Sequence, residues 1–279
     1  MIILAETAEE YLSHAYDFPQ DWPSLPLSNE PFVSLWQECS GREALDFLTD
    51  EKKLPTYHWE WENMAAISIT FARTMAGRLP VLSTESHRDF RQMDALLNAR
   101  EALRDLPPTV NAFAMVTRAE SIFRHRVLLL NRAPYSNIPA KKLGLSEVDW
   151  LKRSHKLRLR HECAHYETLR ILGDMKNHAH DEILADALGQ IAAFGNFSAW
   201  RQRLFFGLER DNSICQGRLS FYCRKLPPQE HERVYRAVDT VLDSVEGQVE
   251  SLLERNVSEL EIFASLAGVS IAERIANFS

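Results

Sequence analysis

The chain has 279 residues, of which 45% are hydrophobic and 25% charged, and a formal net charge of −7. This length predicts a core of ordinary depth in one large domain or two small ones, and the negative charge, without a concentrated Lys/Arg run, argues against a nucleic-acid-binding surface. No apolar stretch approaches the length of a membrane span, and the acidic start differs from a signal peptide. The four cysteines lack C-x-x-C spacing, which predicts free thiols and a cytoplasmic location.

The N-terminal region is predicted to be helical. Helices are expected over residues 5–16, 32–48, 59–76 and 90–106. In the stretch 59–76 the apolar residues recur at three-and-four spacing, which is typical of a helix with one face in the core. The double proline after residue 106 ends the last of these helices.

The composition changes after the double proline. Residues 109–116 and 127–130 are rich in β-formers, and they predict two short strands. A single helix over residues 110–130 is the competing interpretation. Ser146 is expected to cap a short helix through Trp150 that runs on towards the next element.

Residues 157–190 contain the motif on which the functional prediction depends. His161 and Glu162, followed after two residues by His165, form an H-E-x-x-H sequence. Residues four apart lie on one face of an α-helix, so the two histidines can bind one metal ion. Glu162 lies beside that face and can act as general base on a metal-activated water, which is the pattern of zinc proteases.

A catalytic zinc needs three protein ligands and an open position. Glu182 follows His165 by 17 residues, enough for a turn and the start of a second helix, and it is the predicted third ligand of a Zn²⁺ ion. Asp186, one turn later, is predicted to orient a ligand histidine. His178, four residues before Glu182, is an alternative ligand, and a histidine pair without metal is the structural alternative.

The rest of the chain is predicted to be almost entirely helical. Helices are expected over residues 194–210 and 231–256, the second with a stripe of valines, whereas 216–226 fits a helix or a strand. Residues 258–278 faintly resemble a helix-turn-helix. Because they lack a basic recognition face, a terminal helical hairpin is the preferred prediction.

Three segments, in order, resemble the gluzincin metallopeptidases, and most of all the family that contains the CaaX prenyl proteases and the heat-shock membrane proteases. The segments are Val110-Asn111-Ala112-Phe113-Ala114, the H-E-x-x-H sequence, and Glu182-x-x-Ala185-Asp186. The resemblance implies a zincin-like core, in which the first segment belongs to an edge strand that pairs with an extended substrate. Glu167 stands where that family usually has an apolar residue.

The resemblance also implies roles for individual residues. The zinc ligands would be His161, His165 and Glu182, and the general base would be Glu162. Asp186 would accept a hydrogen bond from a ligand histidine, and Asn111 would contact the substrate. The donor that stabilises the oxyanion stays open. The candidates are polar residues within the motif region or C-terminal to it: His178, Tyr222, His180, Tyr166 and Arg218.

Together these observations predict an α+β fold, mainly α with a small β-sheet, with a zincin-like core and extra helices. The regions are 1–106 (helical), 107–226 (catalytic core) and 227–279 (helical appendage), all parts of one compact unit. The predicted function is a zinc-dependent peptidase that acts on a peptide or protein. One alternative is a non-catalytic interaction protein that retains the fold, and another is a helical di-iron carboxylate protein, which needs a second E-x-x-H that the sequence lacks.

Overall fold

The computed structural model describes residues 7–37, 60–118, 126–176, 178–208, 215 and 217–277. The helices in these ranges are α1 (Ala8–Leu12), α2 (Phe32–Gln37), α3 (His87–Leu97), α4 (Glu147–Glu167), α5 (Ala179–Phe194), α6 (Ala199–Phe206), α7 (Arg218–Cys223), α8 (Pro228–Glu254), α9 (Glu259–Ala267) and α10 (Ile271–Ala276). The strands are β1 (Ser68–Thr74), β2 (Gly77–Thr84), β3 (Ala112–Val116) and β4 (Arg126–Asn131). The prediction of a mainly helical chain with a small sheet is confirmed.

The chain divides into two compact units. The sheet unit comprises Pro23–Asn137 and Leu145–Glu167, and the helical unit comprises Met1–Trp22, Ile138–Gly144 and Thr168–Ser279. Each is described by itself below. Among the described residues, no helix is long and apolar enough to cross a membrane.

The sheet unit is built on four strands in the order β1-β2-β4-β3. The β1–β2 and β3–β4 pairs are antiparallel and the β2–β4 pair is parallel, so β3 lies at an edge of the described sheet. Helix α3 packs against β2 and β4, and α4 packs against β1, β3 and β4. The core between α3 and the sheet, to which α2 also contributes, is apolar, with Trp36, Leu82, Phe90, Met93 and Leu129 almost completely buried.

The helix predicted over residues 59–76 is wrong, although its first residue lies outside the described ranges. A short 3₁₀ turn at Met64–Ala66 is followed by β1, which forms a hairpin with β2. The strand is rich in β-branched residues, which lose side-chain freedom in a helix. Gly77, at φ 97°, closes the two-residue turn in a conformation that other residues rarely adopt.

Helix α3 is also shorter than predicted, because it ends at Leu97 rather than at residue 106. The buried Asp94 carboxylate accepts hydrogen bonds from Asn98, Arg100 and Arg104, which fold the chain back at this point. Ala99, at φ 51°, makes the turn. The two predicted strands that follow are confirmed as β3 and β4, and the single helix over 110–130 is wrong.

Helix α4 runs without a break from Glu147 to Glu167 and carries the H-E-x-x-H sequence in its last turns. As predicted, Ser146 caps it, accepting a hydrogen bond from the Asp149 amide at 3.1 Å. Glu167, the departure from the gluzincin pattern, is buried. Its carboxylate accepts from the Met75 amide and the Arg160 guanidinium, at 2.9 and 2.8 Å, so it ties the end of α4 to the β1–β2 turn.

The helical unit is organised around α5, whose residues from Ala179 to Gln190 are all buried. The valine stripe of α8 is buried as predicted. The residues predicted to form a terminal hairpin form the two short helices α9 and α10, of which α9 packs against α5 and α10 against α8. Residues 218–223 are helical rather than extended. Three cysteines are free thiols, as predicted, and Cys39 lies outside the described residues.

Candidate metal centre

His161 and His165 face the same side of α4, as their spacing predicts. Their Nε2 atoms lie 3.0 Å apart, and both residues are buried, at 5% and 6% exposure. Zn–N bonds of about 2.0–2.1 Å with tetrahedral angles place two ligand nitrogens about 3.3 Å apart. The imidazole pair therefore has nearly the spacing that a shared zinc ion requires.

The ring orientation of His161 is set by Tyr135, whose hydroxyl lies 3.0 Å from the histidine Nδ1. With a hydrogen on Nδ1 donated to the phenolic oxygen, the lone pair of His161 is on Nε2, the atom that faces His165. Ligand histidines in metal proteins are commonly held through their second nitrogen in this way. Tyr135 therefore fixes the rotation of the ring, and its hydroxyl can accept the hydrogen bond of the tautomer that metal binding needs.

Tyr135 is itself held rigidly, in the loop between β4 and α4. The Arg158 guanidinium donates to the carbonyls of Asn131, Ala133 and Pro134, at 3.1–3.2 Å. The Ser154 hydroxyl accepts from the Tyr135 amide at 3.0 Å. Both anchors are on α4, so the helix that carries the histidines also positions the residue that orients them.

Glu182 lies in the first turns of α5 and is 1% exposed. One ligand atom from each of His161, His165 and Glu182 lies within 4.8 Å of the other two, and all three residues are buried. Among the described residues this is the one group of three or more His, Cys, Asp or Glu side chains that can hold a metal ion. Its two nitrogens and one carboxylate are the donor set of a His₂Glu zinc site.

Asp186 has well-defined partners within the helical unit. Its Oδ2 accepts hydrogen bonds from the Gln202 amide, at 2.6 Å, and from the Arg218 guanidinium. Gln202 in turn accepts from Gln190 at 2.9 Å, and Arg218 lies 4.0 Å from a Glu182 oxygen. This buried polar network fixes the side of α5 that carries Glu182. The predicted contact of Asp186 with a ligand histidine stays a prediction.

Glu162, the predicted base, follows His161 on α4 and is half-buried. It is not part of the metal-ligand group, as expected for a general base that does not itself bind the metal. Tyr222, one of the predicted oxyanion donors, is half-buried on α7. Neither assignment is tested by the structure.

Asn111 and His178 have structural partners. The Asn111 side chain accepts from Asn131 and donates to the Pro108 carbonyl, both at 2.8 Å, which fixes the start of β3. His178 stacks on Tyr11 with ring centres 4.3 Å apart. Burial lowers the pKa of His178 to about 4, so its imidazole is neutral at physiological pH. It is outside the metal-ligand group.

Sequence reasoning did not find Tyr135 or Arg158. The first is 26 positions from the histidine it contacts, and neither belongs to a motif with a fixed spacing. Only the packing of α4 on the β4 loop brings them to the site. The proline before Tyr135 marks a loop, but it does not indicate which helix the loop contacts.

Comparison with known proteins gives one match. A family model described as "Family of unknown function (DUF7005)" matches residues 108–273, a span that includes every candidate site residue named above. Neither the curated proteins nor the solved structures contain a match.

Proposed function

The chain belongs to the family of unknown function DUF7005, and we propose that it is a zinc-dependent hydrolase that acts as a peptidase. The observation that carries the proposal is the buried group formed by His161, His165 and Glu182, with ligand atoms within 4.8 Å of one another.

The donor chemistry favours a transition metal such as zinc over Mg²⁺ and Ca²⁺. Imidazole nitrogens suit zinc, whereas Mg²⁺ and Ca²⁺ prefer sites made entirely of oxygen. A carboxylate-bridged di-iron site needs several carboxylates, and the group has one. Two neutral imidazoles and one carboxylate leave a bound Zn²⁺ with a net positive charge, which suits the activation of water.

The proposed chemistry divides between the metal and Glu162. A bound zinc ion lowers the pKa of water towards neutrality and polarises the carbonyl that is attacked. Glu162, half-buried beside the histidine pair, accepts the proton of the attacking water and transfers it to the leaving amine.

An extended peptide is the substrate class that the sheet unit favours. Strand β3 pairs with β4 on one side and lies at the edge of the described sheet, and α4 packs against it. An edge strand presents unpaired backbone groups with which an extended chain can form hydrogen bonds. In this proposal Asn111 acts mainly by fixing the start of β3.

The test combines metal analysis with one substitution. We expect the purified protein to contain one zinc per chain and to cleave fluorescence-quenched peptides from a mixed-sequence library. Glu162→Gln should retain zinc but lose about 10²–10⁴-fold in hydrolysis, as expected on removal of a general base, whereas His165→Ala should lose zinc and activity together. Glu147→Gln, at the exposed start of the same helix, is the matched control and should behave as the wild type.

Other outcomes point to other classes of protein. Two irons per chain would indicate a di-iron protein, and no bound metal would indicate an interaction protein. Full activity in Glu162→Gln would contradict the catalytic assignment even if zinc were present.

A further inference from the structure

The start of α5 has an unusual cap. The residue at the N-cap position is His178, whereas Ser, Thr, Asp and Asn are the residues that normally accept hydrogen bonds from the free amides of a first turn. Here the hydroxyl of Tyr11 accepts a hydrogen bond from the Ala179 amide, at 2.7 Å. A side chain 168 positions earlier in the sequence thus supplies the cap.

A second tyrosine binds the same turn. The Tyr16 hydroxyl donates to Oδ1 of Asp181, whose Oδ2 accepts from the His178 amide at 3.0 Å. Asp181 is 1% exposed, so its carboxylate depends on these protein partners in place of water. The first turn of α5 is therefore held at two points by hydroxyl groups from the N-terminal segment, defined as Thr7–Trp22.

The N-terminal segment packs tightly against the other residues of the helical unit. Tyr11 and Tyr16 are 1% and 6% exposed. The Tyr16 amide donates to the Ala267 carbonyl at 3.0 Å, and Thr7 and Glu10 form a capping box that starts α1. The two hydroxyls are thus fixed relative to the rest of the unit.

Glu182 follows Asp181 directly and lies three positions after Ala179. Helix ends fray first, and fraying of this turn would displace the carboxylate that completes the metal-ligand group. Metal ligands need to be held within about 0.5 Å of their binding positions. The capping of this turn is therefore coupled to the position of a metal ligand.

We propose that the N-terminal segment is a positioning element of the metal centre, in which the hydroxyls of Tyr11 and Tyr16 hold Glu182 in place for metal binding. The inference rests on the proposed metal site. It extends that site to a part of the chain outside residues 108–273, the span that the family model matches.

The experiment uses the full chain with Tyr11→Phe, Tyr16→Phe and the double substitution, which remove the hydroxyls and keep the rings. Zinc affinity is measured by competition with a chromophoric chelator, and ligand geometry by the visible spectrum of the Co²⁺-loaded protein. We expect the double variant to bind zinc about tenfold more weakly and to show an altered Co²⁺ spectrum. Tyr235→Phe is the matched control, because Tyr235 is buried in the same unit on a helix without a metal ligand.

Wild-type affinity in the double variant would overturn the inference, and so would an equal loss in Tyr235→Phe, which would indicate general loosening. Hydrogen exchange of the amides of residues 179–183 in the metal-free protein provides a separate test. We expect at least about fivefold faster exchange in the double variant, and unchanged exchange would also overturn the inference. A wild type that binds no zinc would refute the proposed function, while the exchange measurement would still decide whether the tyrosines hold this turn.

Discussion

If the proposed metal binds, Tyr135 is a residue that would influence the chemistry of the site without binding the metal itself. Many ligand histidines are held by a carboxylate, which makes the imidazole more basic and adds negative charge. Here the partner of His161 Nδ1 is a neutral phenol at 3.0 Å. The imidazole is oriented without further charge, so the site keeps the positive charge that favours activation of water.

The first prediction follows from this contact. Tyr135→Phe should weaken zinc binding by about tenfold, because the ring still packs but the hydrogen bond that holds the His161 ring in its rotation is lost. Chelator competition measures the change. Tyr166→Phe is the control, since Tyr166 lies on the motif helix itself and its hydroxyl donates to Glu30, at 2.8 Å. Equal affinities of Tyr135→Phe and the wild type would show that the contact has no role in metal binding.

At the scale of elements, α5 is a helix buried on all sides that nevertheless carries several polar residues. His180 is one of them, and its Nε2 lies 3.1 and 3.2 Å from the carbonyls of Leu266 and Val269. It thereby links α5 to the end of α9 and to the residues between α9 and α10. Burial lowers the pKa of His180 to about 4, compared with about 6.5 in an unfolded chain.

This pKa gives a prediction about pH. Because the unfolded state takes up the proton first, the stability that His180 contributes is present above about pH 6.5 and is lost as the pH falls towards 4. His180→Phe, which removes the hydrogen bonds, should lower the free energy of unfolding by about 1–3 kcal/mol near neutral pH. The difference from the wild type should shrink by pH 4.5, since the variant has no proton to take up.

Urea unfolding at several pH values measures the effect. The control is His231→Phe, at a half-buried position of α8. We expect the effect of this substitution on the free energy of unfolding to vary less with pH than the effect of His180→Phe. A His180→Phe difference that stays constant between pH 7.5 and 4.5 would contradict the argument.

The elements differ in how far the sequence predicts them, and the reason is physical. Helix α4 is predictable because its cap, Ser146, and its motif spacing are both local signals. The β1–β2 hairpin is not, because its apolar spacing also fits a helix and the choice depends on β2 and α4, which cover the strand. The end of α3 depends on the contacts of Asp94 with arginines 6 and 10 positions later, beyond the range of helix periodicity.

The residues of the candidate site also fall into those that local sequence predicts and those that only the tertiary fold brings to the site. The histidine pair follows from the geometry of one helix, and Glu182 follows from a plausible separation between two helices. Tyr135, Tyr11 and Tyr16 contact the site region through the tertiary fold alone, over 26 to 168 positions of sequence. No local pattern identifies such partners, because tyrosines in apolar surroundings are usually core residues.

At the scale of the whole molecule, metal binding and folding stability are linked. The unfolded chain holds the proposed ligand side chains far apart on average, so zinc would bind the folded state preferentially. A ligand present at 100 times its dissociation constant then stabilises the folded protein by about 2.7 kcal/mol. For a chain of this size, such a gain corresponds to an increase in melting temperature on the order of 5 °C.

We therefore expect removal of zinc with a chelator to lower the melting temperature by that amount, and added zinc to restore it. His165→Ala should melt at the same temperature with or without zinc, because it has lost a ligand. His155→Ala, on the same helix but outside the metal-ligand group, should respond as the wild type does. Differential scanning calorimetry measures all three proteins, and a zinc response that survives in His165→Ala would mean that the stabilising ion binds elsewhere.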